Sequence, residues 1–139
     1  MCIERVTAWA PVREFFERHL ELIGDGMRRE DIPHMERFLK DARNWFVRVA
    51  ARGGEGLFVF VPRGAGEWEV HACAGTIGKG WRWIGVTRAV LRWFFEESGA
   101  RALETYVVCK QSGVYALAVG FREVGKFWYQ LKREEARKV

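Results

Sequence analysis

The residues best suited to chemistry cluster in one stretch, "EWEVHACAGTIGKGWRWIGVTRAVL", from Glu67 to Leu91. Glu69 and His71 are acid–base side chains two positions apart in an alternating run. A strand there turns both to one face, where either can accept a proton. The plainer reading is an exposed strand carboxylate and a hydrogen-bonded sheet histidine. Further on, Arg82 and Gly85 stand between a glycine-rich connection and a run with helical periodicity. A helix N-terminus offers free N–H groups and a positive dipole end, which favour phosphate. Gly85 would let a ligand approach the backbone, and Arg82 would add a charge-assisted contact. Arg-x-x-Gly is a common pattern, and an ordinary loop before a core helix is the competing account.

Other chemistries find less support. The three cysteines, Cys2, Cys73 and Cys109, are odd in number and form no C-x-x-C pair. That argues against a disulfide framework or a cysteine-rich zinc site. None has a sequence-local His or Asp arrangement for nucleophilic catalysis, so Cys73 and Cys109 read most simply as small buried hydrophobes. The three histidines are scattered and imply no metal. His19 falls at the edge of an apolar helical seam, and His34 reads as exposed.

The elements that must position these residues follow from the periodicity. "CIERVTAW" alternates as a first strand ending near Pro11. "PVREFFERHLELIG" puts Val12, Phe15, Phe16, Leu20 and Ile23 on one helical face, with Pro11 in the first turn and Gly24 as a cap. "REDIPHMERFLKDAR" predicts a second helix with Ile32, Met35, Leu39 and Ala42 on one side. "WFVRVA", "LFVFV" and "EWEVHACA" then read as an antiparallel meander, joined by the turns "RGGEG" and "PRGAG". "GTIGKGWRWIG" is a connection. A helix bearing Val86, Ala89, Val90, Trp93 and Phe94 follows and stops at "SGAR". "ALETYVVC" is a strand, "SGVYALAVG" a short helix, and "FREVG" and "KFWYQLK" are closing strands. The tail "LKREEARKV" reads as a solvated end. The order is β-α-α-β-β-β-α-β-α-β-β, a single α/β domain over 1–139. Its strands on either side of the long helix lie parallel through a right-handed crossover.

At 139 residues the chain can bury one substantial core, and 49% hydrophobic with 29% charged residues is globular composition. Seven Trp and ten Phe can fill that core, line a groove or face a partner. The net charge of +5 suits an anionic partner but is spread along the chain. No basic helix or recognisable motif supports nucleic-acid binding. No apolar run approaches the length needed to span a membrane, and the first residues carry charge too early for a signal peptide. Reduced thiols in a cytoplasmic setting are the expectation.

With these residues in view, the chain resembles the GCN5-related N-acetyltransferase (GNAT) family over nearly its whole length. The family's acetyl-CoA loop follows (Gln or Arg)-x-x-Gly-x-(Gly or Ala). Arg82-Trp83-Ile84-Gly85-Val86-Thr87 takes those places, with Val90-Leu91 as the apolar pair and Thr87 departing from the small final residue. Gly120-Phe121 is similar to the end of the family's late helix. There Cys109 stands where Asn is frequent, Ser112 where Ala is, and Ala116 where a general-acid tyrosine often sits. Tyr115 is one residue away, about 100° around a helix. "Trp68-Glu69-Val70-His71" looks like a strand of some bacteriophage-encoded GNAT-like proteins.

The resemblance implies a mixed sheet with splayed central parallel strands, acetyl-CoA as cosubstrate, and no metal. It implies transfer to an amine acceptor of unknown identity, with Glu69 or His71 as base and Tyr115 as a candidate acid. Residues 82–87 would hold the cofactor, while Cys73, Ala74 and Cys109 would line the pantetheine channel. Trp81 and Trp83 would flank the ligand or anchor the loop. The departures at Thr87, Cys109 and Ala116 leave a second expectation open. This is a catalytically inactive GNAT-fold interaction or assembly protein, bound to a protein partner or to its own copies. Such a protein would sit in the host cytoplasm or in a virion if phage-encoded.

Overall fold

The computed structural model describes residues 1–20, 28–78 and 80–138. Its strands form one seven-stranded sheet: β1 (Cys2–Val6), β2 (Trp45–Ala51), β3 (Gly54–Gly64), β4 (Glu67–Cys73), β5 (Ala102–Tyr106), β6 (Arg122–Gly125) and β7 (Trp128–Lys132). The sheet order is β1-β2-β3-β4-β5-β7-β6. The described helices are α1 (Trp9–His19), α2 (Ile32–Lys40), preceded by a 3-10 turn at Arg29–Asp31, α3 (Trp81–Ser98), α4 (Lys110–Val119) and α5 (Arg133–Ala136). The expected order and mixed sheet are thus present, and β4 and β5 pair in parallel. Their register covers Glu67↔Ala102, Trp68↔Leu103 and Glu69↔Glu104, and goes no further although both strands continue.

The packing divides into two compact units, Met1–Val61 with His71–Gly78, and Pro62–Val70 with Lys79–Val139. In the first, β1 and β2 pair antiparallel, as do β2 and β3. Its core joins Val12, Phe15 and Phe16 of α1 to Ile32 and Leu39 of α2 and to Phe46, Leu57 and Val59 of the sheet. These are the apolar faces that the 3.6-residue and two-residue periods mark out. In the second, β7 pairs antiparallel with β5 and with β6. Trp68 meets Phe94 of α3 edge-on at 5.2 Å, while Leu91, Leu103 and Leu131 are fully buried.

Several boundaries differ from expectation. β1 stops at Val6 and α1 begins at Trp9, so Pro11 lies inside the first turn, where its missing N–H costs nothing. Ile23 and Gly24 lie outside the described residues. Ala42 falls beyond α2, whose backbone turns extended at Asp41. β3 absorbs most of both expected turns. What remains are Arg52-Gly53 and Ala65-Gly66, each with positive φ at both residues, as the twist of a two-residue hairpin requires. The tail forms the short α5, which buries Ala136.

Candidate functional site

β4, β5 and β7 carry a polar face in the second unit. Glu69 and Glu104 are direct cross-strand partners at the last registered pair of the parallel ladder. Arg63 Nη1 lies 3.4 Å from Glu69 Oε2 and 3.7 Å from Glu104 Oε2. The same guanidinium sits over the Trp128 ring, 4.9 Å from its centroid. Gln130 Nε2 donates to Glu104 Oε1 at 3.5 Å, and Tyr106 meets Trp128 with ring centroids 5.1 Å apart. Alternation explains the grouping: Glu104 and Tyr106 face one side of β5 while Leu103 packs on the other. Carboxylates beside aromatic faces attract cations, and a carboxylate at the end of a parallel ladder can accept a proton.

The glycine-rich connection ends earlier than the sequence suggests. α3 starts at Trp81, and the Ile84 N–H donates to Gly80 O at 3.0 Å, so residues 82–85 are helical and not loop. The reason is packing: Trp83, Ile84, Val86, Thr87, Val90 and Leu91 form a buried face that already includes the first turn. Positive φ falls on Gly75, Gly78 and Gly80, whereas Gly85, expected to let a ligand approach the backbone, is helical with open space around its Cα. Arg82 and Gly85 are exposed, and the side chains of Trp83, Ile84, Val86 and Thr87 are buried. The two tryptophans separate, Trp81 being 86% exposed and Trp83 in the core. What the turn can present to an anion is therefore backbone N–H at residues 81–83 and the Arg82 side chain; Gly80 supplies no side-chain cap. Thr87 Oγ1 is buried with no hydrogen-bond partner among the described residues, an orphaned donor within this helix.

α4 begins at a cysteine. Cys109 is exposed, contrary to the expectation of a buried hydrophobe, and caps the helix by accepting from Ser112 N at 3.4 Å and approaching Ser112 Oγ at 3.0 Å. It opens on a cavity of about 380 Å³ with Val114, Leu117, Phe127 and Tyr129. Tyr115 is half-buried and Ala116 is buried. Gly113 sits so close to Tyr129 that a Cβ would lie 3.0 Å from its hydroxyl.

No protein-family model matches the chain, and no curated protein sequence matches it. Solved structures do. A chimeric spermidine N-acetyltransferase SpeG from Vibrio cholerae and hSSAT superposes with a TM-score of 0.77 at 10% identity, covering 100% of both chains. The N-acetyltransferase PseH of Campylobacter jejuni, in complex with acetyl coenzyme A, gives 0.69 at 17% identity, covering 95% of this chain and 99% of that one. An aminoglycoside 6'-N-acetyltransferase complexed with coenzyme A gives 0.73 at 11% identity, covering 96% and 97%. This chain has the GNAT fold. At such identities the likeness is one of fold.

Within the GNAT fold the remaining candidates fall in the first unit. His71 is exposed on β4 and Ala74 half-buried just after it. Cys73 packs against the apolar core, and burial pushes its thiol pKa up despite a hydrogen bond with the Gly75 backbone. That fits a small hydrophobe better than a reactive thiolate. The loop after it is stitched to β3: Thr76 N donates to Glu55 O at 3.0 Å and Glu55 N to Thr76 Oγ1 at 2.9 Å. His19, expected at the core edge, is buried and bonded to Glu55 Oε1 at 2.8 Å. Sequence reasoning missed Arg63, Glu104 and Trp128 as site residues. The alternation of "ALETY" and "WYQLK" could have paired the last two, but only the fold brings Arg63 to them. Among the described residues no group of His, Cys, Asp or Glu is placed to hold a metal, and no helix is long and apolar enough to cross a membrane.

Proposed function

We propose that the protein transfers the acetyl group of acetyl-CoA to an amine. The observation that carries this is the position of Glu69 at the end of the β4–β5 parallel ladder, within a GNAT fold. The amine nitrogen attacks the thioester carbonyl, a C–N bond forms and the C–S bond breaks. An alkyl ammonium has an ordinary pKa near ~10.4, so the nucleophile must lose a proton near neutral pH. Glu69 is the acceptor of that proton, directly or through a water, with His71 the second candidate on the same strand. The departing thiolate takes a proton from Tyr115 or from solvent. The α3 N-terminal turn with Arg82 receives the pyrophosphate, its residues Trp83 to Thr87 shaping that end of the helix. Cys109, exposed at the start of α4, is the candidate for contact with the thiol-bearing arm.

Calorimetric titration with acetyl-CoA tests the proposal. Micromolar binding, weakened at least tenfold in Arg82→Glu, is the expected result. Absence of both heat and thermal stabilisation at millimolar acetyl-CoA would refute it.

A second reading has its own observation. Val108, Val114, Leu117, Val124 and Phe127 are large exposed apolar residues around α4 and the β6–β7 hairpin. Grouped apolar surface marks interaction sites, and Ala116 leaves no tyrosine at the position resembling the family's acid. On this reading the chain is an inactive GNAT-fold assembly protein, as in a phage particle. Transfer activity in any amine screen would exclude it.

A further inference from the structure

The cation at the centre of the polar face belongs to the protein itself. Arg63 contacts three groups with one guanidinium: the Trp128 ring at 4.9 Å, Glu69 at 3.4 Å and Glu104 at 3.7 Å. Both carboxylate contacts are long and use the same Nη1, so the fork geometry that makes arginine pairs strong is unused. The Arg63 side chain is 40% exposed. Partly exposed pairs of this kind contribute about 0–1 kcal/mol. A diffusible cation can therefore take Arg63's place at small cost. The surroundings suit one: an aromatic face, a carboxylate held from its other side by Gln130, and a second ring from Tyr106 that extends the wall. Glu69 and Glu104 stand on adjacent strands about 5 Å apart. A short aliphatic chain can thus bring one nitrogen to Glu69 while a second rests between Glu104 and Trp128.

We propose that Arg63 stands in for the distal positive charge of the acceptor, and that Glu104 with Trp128 forms the subsite for acceptors carrying two cationic groups. The cation subsite stands by itself; its assignment to an acceptor rests on the transferase reading. Removing the stand-in empties the subsite, and a monoamine has nothing to place there.

The test is calorimetric titration of the full chain with 1,4-diaminobutane and with butylamine, without acetyl-CoA. Arg63→Ala is expected to bind the diamine about fivefold more tightly than the wild type does, and about tenfold more tightly than it binds butylamine. Adding Glu104→Gln or Trp128→Leu to that variant should abolish the gain. Unchanged or weaker diamine binding in Arg63→Ala, or no preference over butylamine, would overturn the proposal. If Arg63→Ala melts early, Arg63→Gln carries the same comparison, because it removes the charge and keeps most of the side chain. Acetyl-CoA titrated into the same samples separates the two claims. Diamine binding without acetyl-CoA binding would leave the subsite and remove the transferase reading. Acetyl-CoA binding without the diamine gain would do the reverse.

Discussion

Two carboxylate–arginine clusters in this molecule use the same residue types to opposite ends. In the first unit, Glu55 is 14% exposed and saturated with donors. Arg18 reaches its Oε1 at 2.8 Å and 3.2 Å, and His19 reaches the same oxygen at 2.8 Å. Arg48 reaches Oε2 at 3.0 Å and 3.2 Å. Burial works to raise the Glu55 pKa, but the bonds from His19, Arg48 and Arg18 outweigh it and hold the carboxyl below its ordinary value. In the second unit, Arg63 lies 3.4 Å from Glu69 and 3.7 Å from Glu104, whose side chains are 22% and 23% exposed. Short, saturated bonds fix α1 to the β2–β3 hairpin. Long contacts beside an aromatic ring leave a face on which a ligand can compete. The two arginine–carboxylate clusters are told apart by contact distance, not by composition.

Perturbing the first cluster should change stability and leave transfer intact, and perturbing the second should do the opposite. The largest effect is expected at Gly75, with φ +54, where a Cβ would lie 2.2 Å from Glu55 O and 3.1 Å from the Phe15 ring. Gly75→Ala should destabilise by about 3 kcal/mol in urea melts. A loss under about 1 kcal/mol would show the loop to be less firmly stitched to β3 than the contacts imply. Next, Glu69→Gln should lower the transfer rate about a hundredfold with an unchanged melting temperature. A large drop in stability instead would place Glu69 with the structural cluster.

Glu55→Gln should cost about 2 kcal/mol, since hydrogen bonds to charged groups are replaced by weaker ones. Its pH signature is more telling. A carboxyl depressed on folding contributes stability that is present above its unfolded pKa, near 4.5, and is lost as pH falls through the lower folded value. Wild-type stability should therefore decline below about pH 4.5 more steeply than that of Glu55→Gln. Parallel acid titrations of the two would contradict this. The smallest effect is expected at Gly85. It is exposed in the first turns of α3, and a Cβ there would meet no atom within 4 Å. Gly85→Ala should stabilise the free protein by about 0.5–1 kcal/mol. Weakened acetyl-CoA binding in the same variant would show that the ligand passes over that backbone.

Much of the frame was legible because it is local. Alternation in "WFVRVA" and "EWEVHACA" marked β2 and β4, and the spacing of Val12, Phe15 and Phe16 marked the buried face of α1. Glu69 and His71 were visible as acid–base types in such a run. The start of α3 was not, because Trp81 to Ile84 contain no breaker and the turn is recruited by burial of Trp83 and Ile84. Cys109 misled for a related reason. A cysteine can be core or cap, and the choice depends on the Ser112 N–H three residues later being left open by the helix.

What the sequence by itself determined is the order of elements, the parallel crossover and the polar side chains each strand offers. Periods of two and 3.6 residues are written in adjacent positions, so no distant contact is needed to read them. The tertiary structure alone decided which charges meet. His19 and Glu55 are 36 positions apart, and Arg63, Glu104 and Trp128 lie on three different strands. Attraction between charges depends on distance and on exclusion of water, and both exist only once the sheet has assembled.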